Sequence, residues 1–509
     1  MPPVATLLRR QHSAGRQYWT GAVLVLLLSA ALRLWDLGQS DLWTDEILTA
    51  GRVHGSLADL YESLLDVGNQ APLYYLLMRL FPRDGDFLLR LPSALLGVIN
   101  VALLMGVVRG VYGERALALQ AGLLLAVNPL HILLSAQARY YTLLFGLALL
   151  GSYLFLRLLR GKRSRSIWTA FVLVHLLAYQ THYTALTLAA AQGALLVWFW
   201  LQSRWRILPR TDNLRDTSLI RPWFKAQLAA GLPFAVWIVV IVSGFEPSGY
   251  PYEVQRVTGS DLPVSLLNLL TGWHGDVWRW FLLPGLLTAG IGLALGLYAV
   301  VRCWQPEDVY WCIVVGGPVV AMFALNWLKG VQYRDRYFLV AAYGLVIVFL
   351  VGWRRFPSMV RWGAVGVVAL TATYLIVYTY HTGAQQRTDW TGTAAFVMKQ
   401  SQPGDRVLFE REMTRDAFAR YFDGDEAVLR GALVLVGNED RVAAFRADAA
   451  RLWVVYRTRS EDLHRQGWLE DSDPLQTGLS PLSDWLVENQ ARITNTYTFD
   501  GVTIFLLAE

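Results

Sequence analysis

Long apolar runs separated by short polar or cationic stretches fill the chain up to about residue 380. The runs fall at about 19–37, 90–108, 117–134, 140–157, 167–185, 187–202, 227–244, 281–301, 309–328, 337–353 and 361–379. Runs of this length suit helices through a hydrocarbon layer about 30 Å thick. The pattern therefore predicts a polytopic α-helical membrane protein with about 11 spans. Between the first two runs lies a long segment, 38–89, whose stretch 71–81 is too short to span and amphipathic enough to lie in the interface. Segment 245–280 is polar and aromatic, with Pro247, Gly249 and Pro251, and its Trp273, Trp278 and Trp280 suit the headgroup level.

After about residue 385 the long runs stop and a different rhythm begins. Arg406–Phe409 and Leu452–Tyr456 read as strands, and 416–422 and 482–490 as helices. Ile493–Phe499 and Val502–Leu507, joined by Asp500-Gly501, read as a hairpin. Two domains are predicted: a membrane module over 1–384 and a small α/β domain over 385–509.

Composition agrees with this division. The chain is 54% hydrophobic and 17% charged, whereas soluble domains carry about a quarter charged residues. The net charge of +6 does not point to nucleic acid, because the cations sit between spans. They cluster at Arg9, Arg10 and Arg16; at Arg109 and Arg115; from Arg160 to Arg165; from Arg204 to Lys225; and at Arg354, Arg355 and Arg361. Basic loops stay in the cytoplasm, so the N-terminus lies inside. Segments 38–89, 131–140, 182–186, 245–280, 329–336 and 380–509 face outward, and the α/β domain is extracytoplasmic. The first span ends in Arg33-Leu34-Trp35-Asp36 without a small-x-small cleavage site, so it is read as an anchor and not a cleaved signal. The tail has no cysteine and the chain has no Asn-x-Ser/Thr sequon, which favours a bacterial cytoplasmic (inner) membrane. There is no internal repeat, P-loop or dinucleotide fingerprint, and Gly292-x-x-x-Gly296 reads as helix packing.

Candidate chemistry gathers at the predicted outer face. Asp45 and Glu46 follow Trp43-Thr44 just after the first span. One reading is a capped helix start, with both acids in the first turn against the helix dipole. The other is a general base that deprotonates an acceptor, and the two are compatible. Arg139 lies at the start of a span, where an arginine either snorkels to lipid phosphate or binds a substrate phosphate. Arg334-Asp335-Arg336-Tyr337 opens another span, with Lys329 upstream. It reads as an ion pair with interface anchoring or as a cationic pocket for a leaving phosphate. His131 and His182-Tyr183 lie at the same level. The spacings carry no metal-ligand signature, so no metal cofactor is expected.

Taken in order, these residues resemble the GT-C superfamily of membrane glycosyltransferases. The nearest likeness is to bacterial relatives of protein O-mannosyltransferases and lipid A aminoarabinose transferases. The resemblance runs through Asp45-Glu46; Gln70-Ala71-Pro72-Leu73-Tyr74-Tyr75; Leu89-Arg90-Leu91-Pro92-Ser93-Ala94-Leu95-Leu96-Gly97; and His131 followed by Ser135-Ala136-Gln137-Ala138-Arg139-Tyr140-Tyr141. It continues through His182-Tyr183 with Gln192, Arg336-Tyr337 and Thr388-Asp389-Trp390. Gln70-Ala71 stands where the family has His-Pro, and Gln137 where it often has Glu.

The resemblance implies an inverting transfer from a polyprenyl-phosphate sugar donor to a lipid, polysaccharide or protein acceptor outside the membrane. Asp45, with Glu46 beside it, would serve as base or acceptor-positioning group. Arg139, Arg336, Arg334 and His182 would hold the donor phosphate, and Tyr74, His131, Tyr140 and Lys329 would contact substrate. Membrane lipids are the other expected partners. Two alternatives stay open: a ligase or polymerase of the O-antigen type using diphosphate-linked glycan, and a lipid or glycan transporter. A transporter calls for charges midway through the bilayer and related halves, and neither is visible.

Overall fold

The computed structural model describes residues 4–67, 70–82, 84–205, 216–244, 256–275, 277–331, 333–381, 388–424, 432–435, 438–458, 474–476 and 480–507. The expected turn residues Pro247, Gly249 and Pro251, and Arg206, Arg210 and Arg215 in one cationic loop, lie outside the described residues.

The chain divides into two units. One comprises 1–37, 52–84 and 88–378, and the other 38–51, 85–87 and 379–509. The second unit thus contains more than the C-terminal stretch: two pieces of the first loop belong to it. Sequence pattern alone put both pieces with the membrane module.

The first unit is helical. Its helices are α1 (Val4–Leu34), α2 (Thr44–His54, which begins in the other unit), α3 (Leu57–Val67), α4 (Leu73–Met78), α5 (Asp86–Tyr112), α6 (Arg115–Ala126) and α7 (Pro129–Ser135). They continue with α8 (Tyr141–Leu159), α9 (Arg165–Tyr179), α10 (Leu186–Trp205), α11 (Ile220–Gly244), α12 (Asp261–Thr271), α13 (Leu283–Cys303), α14 (Pro306–Lys329), α15 (Ala341–Trp353) and α16 (Ser358–His381). Among the described residues, 8 helices are long and apolar enough to cross a membrane, or 9 if the bent pair α6–α7 is one span. Helices α9 and α15 are apolar but shorter.

The bend between α6 and α7 is 62°, and Asn128-Pro129 makes it. Proline fits the first turn of α7, where its missing N–H costs nothing. The Asn128 side chain accepts from His131 N at 2.9 Å and caps that helix. Its amide also donates to Leu269 O at 2.9 Å and Leu270 O at 3.3 Å, near the end of α12. That helix stops at Gly272, whose φ of 82° favours glycine and whose Cβ position is filled by the Pro129 ring.

Loops that the charge pattern assigns to one side meet in the structure. Arg160 reaches Glu307 (2.6 Å) and Val111 O (2.7 Å). Glu114 receives Arg354 (2.7 Å) and Arg361 (3.2 Å), and Tyr112 donates to Asp308 (2.6 Å). Gly292 and Gly296 do pack helices: α13 and α15 come so close that a Cβ at Gly352 would meet the Gly292 carbonyl.

The second unit carries a five-stranded sheet in the order β2-β1-β3-β5-β4. The strands are β1 (Arg406–Phe409), β2 (Leu433–Val434), β3 (Leu452–Tyr456), β4 (Ile493–Phe499) and β5 (Val502–Leu507). Strands β2, β1 and β3 run parallel, while β5 pairs antiparallel with β3 and β4. Every residue of β3 and β5 is buried, and β4 is the exposed edge. Burial on both faces explains their unbroken apolar sequence. On one face Leu408, Leu452, Val454 and Phe505 pack with Leu482 and Leu486 of α20 (Pro481–Glu488). On the other, Phe409 meets Phe418 of α18 (Glu412–Tyr421), and Trp453 meets Phe396 of α17 (Trp390–Gln400). Helix α19 (Val442–Ala447) precedes β3.

Candidate functional site

Within the first unit, two of the predicted cationic segments are linked by a run of aromatic rings. Arg139, 4% exposed, lies just before α8, with its guanidinium 5.3 Å from the centre of the Tyr140 ring. Tyr140 stacks on His182 at 4.1 Å and 13°, and His182 lies 4.2 Å from Tyr183. Tyr183 is within electrostatic reach of Tyr337 and Arg336. The Tyr337 ring in turn lies 5.7 Å from the Arg336 guanidinium and 6.0 Å from that of Arg334. Guanidinium over an aromatic face is favourable, and a guanidinium is the side chain best shaped to recognise phosphate oxygens.

His182 opens the turn before α10. Its Nδ1 accepts from Thr184 N at 3.3 Å and lies 2.8 Å from Thr184 Oγ1. A backbone N–H only donates, so Nδ1 is the bare nitrogen and Nε2 carries the ring proton. The turn between α9 and α10 thereby presents a donor, which suits an anionic ligand. Asp335, between the two arginines in sequence, is held from α12 by Ser265 (2.7 Å) and Asn268 (2.5 Å). Burial raises its pKa, partly offset by those two hydrogen bonds.

A second layer supports Arg139 from below. The Tyr75 hydroxyl accepts from Arg52 Nη1 at 2.9 Å and from Arg139 Nη1 at 3.4 Å, and donates to Gln70 Oε1 at 3.1 Å. The Tyr74 hydroxyl is paired with Ser93 Oγ at 2.9 Å, and Ser93 Oγ also donates to Arg139 O at 3.2 Å. Stretch 71–81, expected along the interface, therefore buries Tyr74 and Tyr75. His131 is fully buried: Nδ1 lies 2.8 Å from Arg33 Nη2 and Nε2 lies 3.5 Å from Asn100 Nδ2. Lys329, at the end of α14, is exposed. Sequence reasoning passed over Arg33, Arg52 and Tyr75. Tyr75 stood in a quoted motif, while Arg33 looked like an ordinary span-end arginine.

Asp45 and Glu46 belong to the second unit. They occupy the first turn of α2, as capping logic predicted. Glu46 is fully buried and its Oε2 accepts from Trp43 N at 3.4 Å, which closes the helix start. Asp45 O receives the Thr49 hydroxyl at 2.9 Å. Thr388-Asp389-Trp390 is a helix start as well: Asp389 caps α17 through Gly392 N at 2.7 Å, and Trp390 is buried. Among the described residues no group of three or more His, Cys, Asp or Glu side chains comes together.

Residues 70–211 match the family model described as dolichyl-phosphate-mannose-protein mannosyltransferase. No curated protein matches the chain by sequence. Among solved structures, ArnT from Cupriavidus metallidurans in the apo state is similar at a TM-score of 0.59 and 14% identity, covering 98% of this chain and 98% of that one. The same protein bound to undecaprenyl phosphate is similar at 0.54 and 14%, over 97% and 98%. The apo oligosaccharyltransferase of Archaeoglobus fulgidus is similar at 0.53 and 12%, over 87% of this chain and 69% of that one. The chain thus shares the fold of these solved proteins, and the family model adds a sequence likeness confined to residues 70–211.

Proposed function

We propose that the protein transfers a sugar from a polyprenyl-phosphate donor to an envelope acceptor, with inversion, on the outer face of a bacterial cytoplasmic membrane. The observation that carries this reading is the stacked run of Arg139, Tyr140, His182 and Tyr183, within electrostatic reach of Tyr337 and Arg336, in a fold shared with membrane glycosyltransferases. Its similarity to a transferase that binds undecaprenyl phosphate supports the choice of donor. Arg139, Arg334 and Arg336 hold the donor phosphate, and His182 adds its Nε2–H. Asp45 takes the proton from the acceptor's O–H or N–H. The freed lone pair attacks the anomeric carbon, the bond from that carbon to the phosphate oxygen breaks, and the electron pair leaves on the polyprenyl phosphate. The guanidinium groups stabilise that growing charge. The acceptor is a lipid, polysaccharide or protein of the envelope, and no step calls for a metal ion.

The test is donor turnover in nanodiscs. Undecaprenyl-phosphate sugars (mannose, glucose, galactose and aminoarabinose) are offered with an envelope extract, and mass spectrometry follows the released undecaprenyl phosphate. Release by wild type and not by Asp45→Asn is the expected outcome. No release from any monophosphate donor by a folded protein would overturn the reading.

A further inference from the structure

Asp45 is only as well placed as the segment that leads into it. Residues 38–43 form turns and extended backbone, so no helix or sheet ladder fixes them. Gly38, Asp41 and Leu42 meet residues of the C-terminal domain and of 85–87, all within the second unit. Gly38 passes Phe87 so closely that a Cβ there would sit 2.8 Å from the Phe87 Cβ. Both Asp41 carboxylate oxygens are taken by Thr391, at 2.7 Å from its N and 2.7 Å from its Oγ1. The Tyr421 hydroxyl accepts from Leu42 N at 2.7 Å and donates to Asp86 Oδ2 at 2.6 Å. Arg420 Nη2 reaches Asp86 Oδ1 at 2.8 Å. Arg457, directly after β3, donates to Thr44 Oγ1 at 2.9 Å, one residue before Asp45.

We propose that the C-terminal domain is a positioning device for Asp45, acting through Thr391, Tyr421 and Arg457, and that these are positioning residues for the transfer. The proposal rests on Asp45 serving as the base. Several features single out this role. The contacts fall on consecutive parts of the segment and end at Thr44. They come from different elements of the domain, α17, α18 and the end of β3, so the whole fold has to be present to make them together. Arg457 lies at the carboxyl end of a parallel strand beside Arg411 and Glu410, at the edge where such sheets present their functional groups. Helix α2 is closed at its start by Glu46, so motion in 38–43 is transmitted to Asp45 as rigid rotation of a capped turn. A displaced base loses rate steeply, because effective molarity depends on orientation.

The experiment uses the full-length protein in nanodiscs, with the undecaprenyl-phosphate sugar turned over in the panel above. Tyr421→Phe and Thr391→Val keep side-chain volume and remove hydrogen bonds, and Arg457→Gln removes the guanidinium and shortens the reach to Thr44. The expected result is a kcat lower by about tenfold for Tyr421→Phe and Arg457→Gln, with the KM for donor within about twofold of wild type. Amide hydrogen exchange should speed up at Leu42 and Thr44 to Ile47, and Arg457→Lys, which keeps a donor for Thr44, should recover most of the rate. Added to Asp45→Asn, none of these changes should lower the residual rate further, because they act through that carboxylate. Wild-type kcat in all three variants, or losses that multiply with that of Asp45→Asn, would overturn the positioning role while the base assignment stands. Wild-type transfer by Asp45→Asn itself would overturn the base assignment and the proposal with it.

Discussion

Tyr75 is where the support of the phosphate cluster is most exposed to a small change, and Tyr75→Phe removes one oxygen and nothing else. The ring stays, and with it the 5.0 Å approach of the Arg52 guanidinium to its face. What disappears is an acceptor for Arg52 at 2.9 Å, a weak acceptor for Arg139 at 3.4 Å and a donor to Gln70 at 3.1 Å. A neutral hydrogen bond contributes about 1 kcal/mol and one to a charged group about 1.5–3 kcal/mol. Arg52 keeps Ser63 Oγ at 2.9 Å, so the low end applies, and the loss should total about 2–3 kcal/mol. In thermal unfolding of the reconstituted protein that corresponds to a midpoint lower by roughly 2–4 °C. Because Arg139 loses a contact that orients it, the donor KM should rise roughly three- to tenfold, a coupling of the size common between neighbours. Tyr74→Phe is the internal control: it loses a single neutral partner, Ser93, and should cost about 1 kcal/mol. Equal midpoints for wild type and Tyr75→Phe, or an unchanged donor KM, would refute the bond-by-bond reasoning.

Further tests address other parts of the molecule. Asp45→Asn should reduce transfer by about 10²–10⁴, the usual worth of general-base help, with an unchanged elution profile in detergent. Arg336→Ala should raise the donor KM at least tenfold, the equivalent of about 1.4 kcal/mol of charge-assisted contact, and an unaltered KM would remove it from the phosphate site. Chelation with EDTA should leave the rate of transfer unchanged, and recovery by an added divalent ion after a loss would show a metal requirement. Arg33→Met should destabilise the protein by about 3–5 kcal/mol, because Leu125 O and Ala126 O lose donors at 3.1 and 3.0 Å and His131 loses its partner. A thermal midpoint like that of wild type would contradict it.

Four of the five strands of the C-terminal domain were legible residue by residue, because they are buried on both faces or joined by Asp500-Gly501, whereas β2, two residues long, left no pattern to read. The long apolar helices were legible as hydrophobic runs, of which 8, or 9 with the bent pair, are long enough to cross a membrane among the described residues, against about 11 expected. The bend at Asn128-Pro129 falls inside the run 117–134, which apolarity alone read as one continuous span. Two other things were not legible. The assignment of 38–51 and 85–87 to the second unit depends on contacts between residues more than 300 positions apart in sequence, such as Leu42 with Tyr421. The roles of Arg33 and Arg52 depend on which carbonyls and hydroxyls lie within reach of a guanidinium, and periodicity carries no such information. Arg139 and Arg336 were singled out by their place at span starts, whereas the ring contacts through Tyr140, His182 and Tyr183 emerged from the fold.

Helix α15 has the highest mean hydropathy of the helices, and it is the one whose residues from Ala341 to Gly352 are all buried. It is wrapped by α13, α14, α6 and α12. Lipid thickness therefore does not set its length, and 13 residues suffice. Hydropathy along this stretch registers enclosure by other helices, whereas the helices that meet lipid are longer and less uniformly apolar. Tolerance to substitution should follow the same division. Bulk can be exchanged freely on the outer faces of α11 and α13, but around α15 a single added methyl has nowhere to go, so the least polar part of the protein is also its least forgiving.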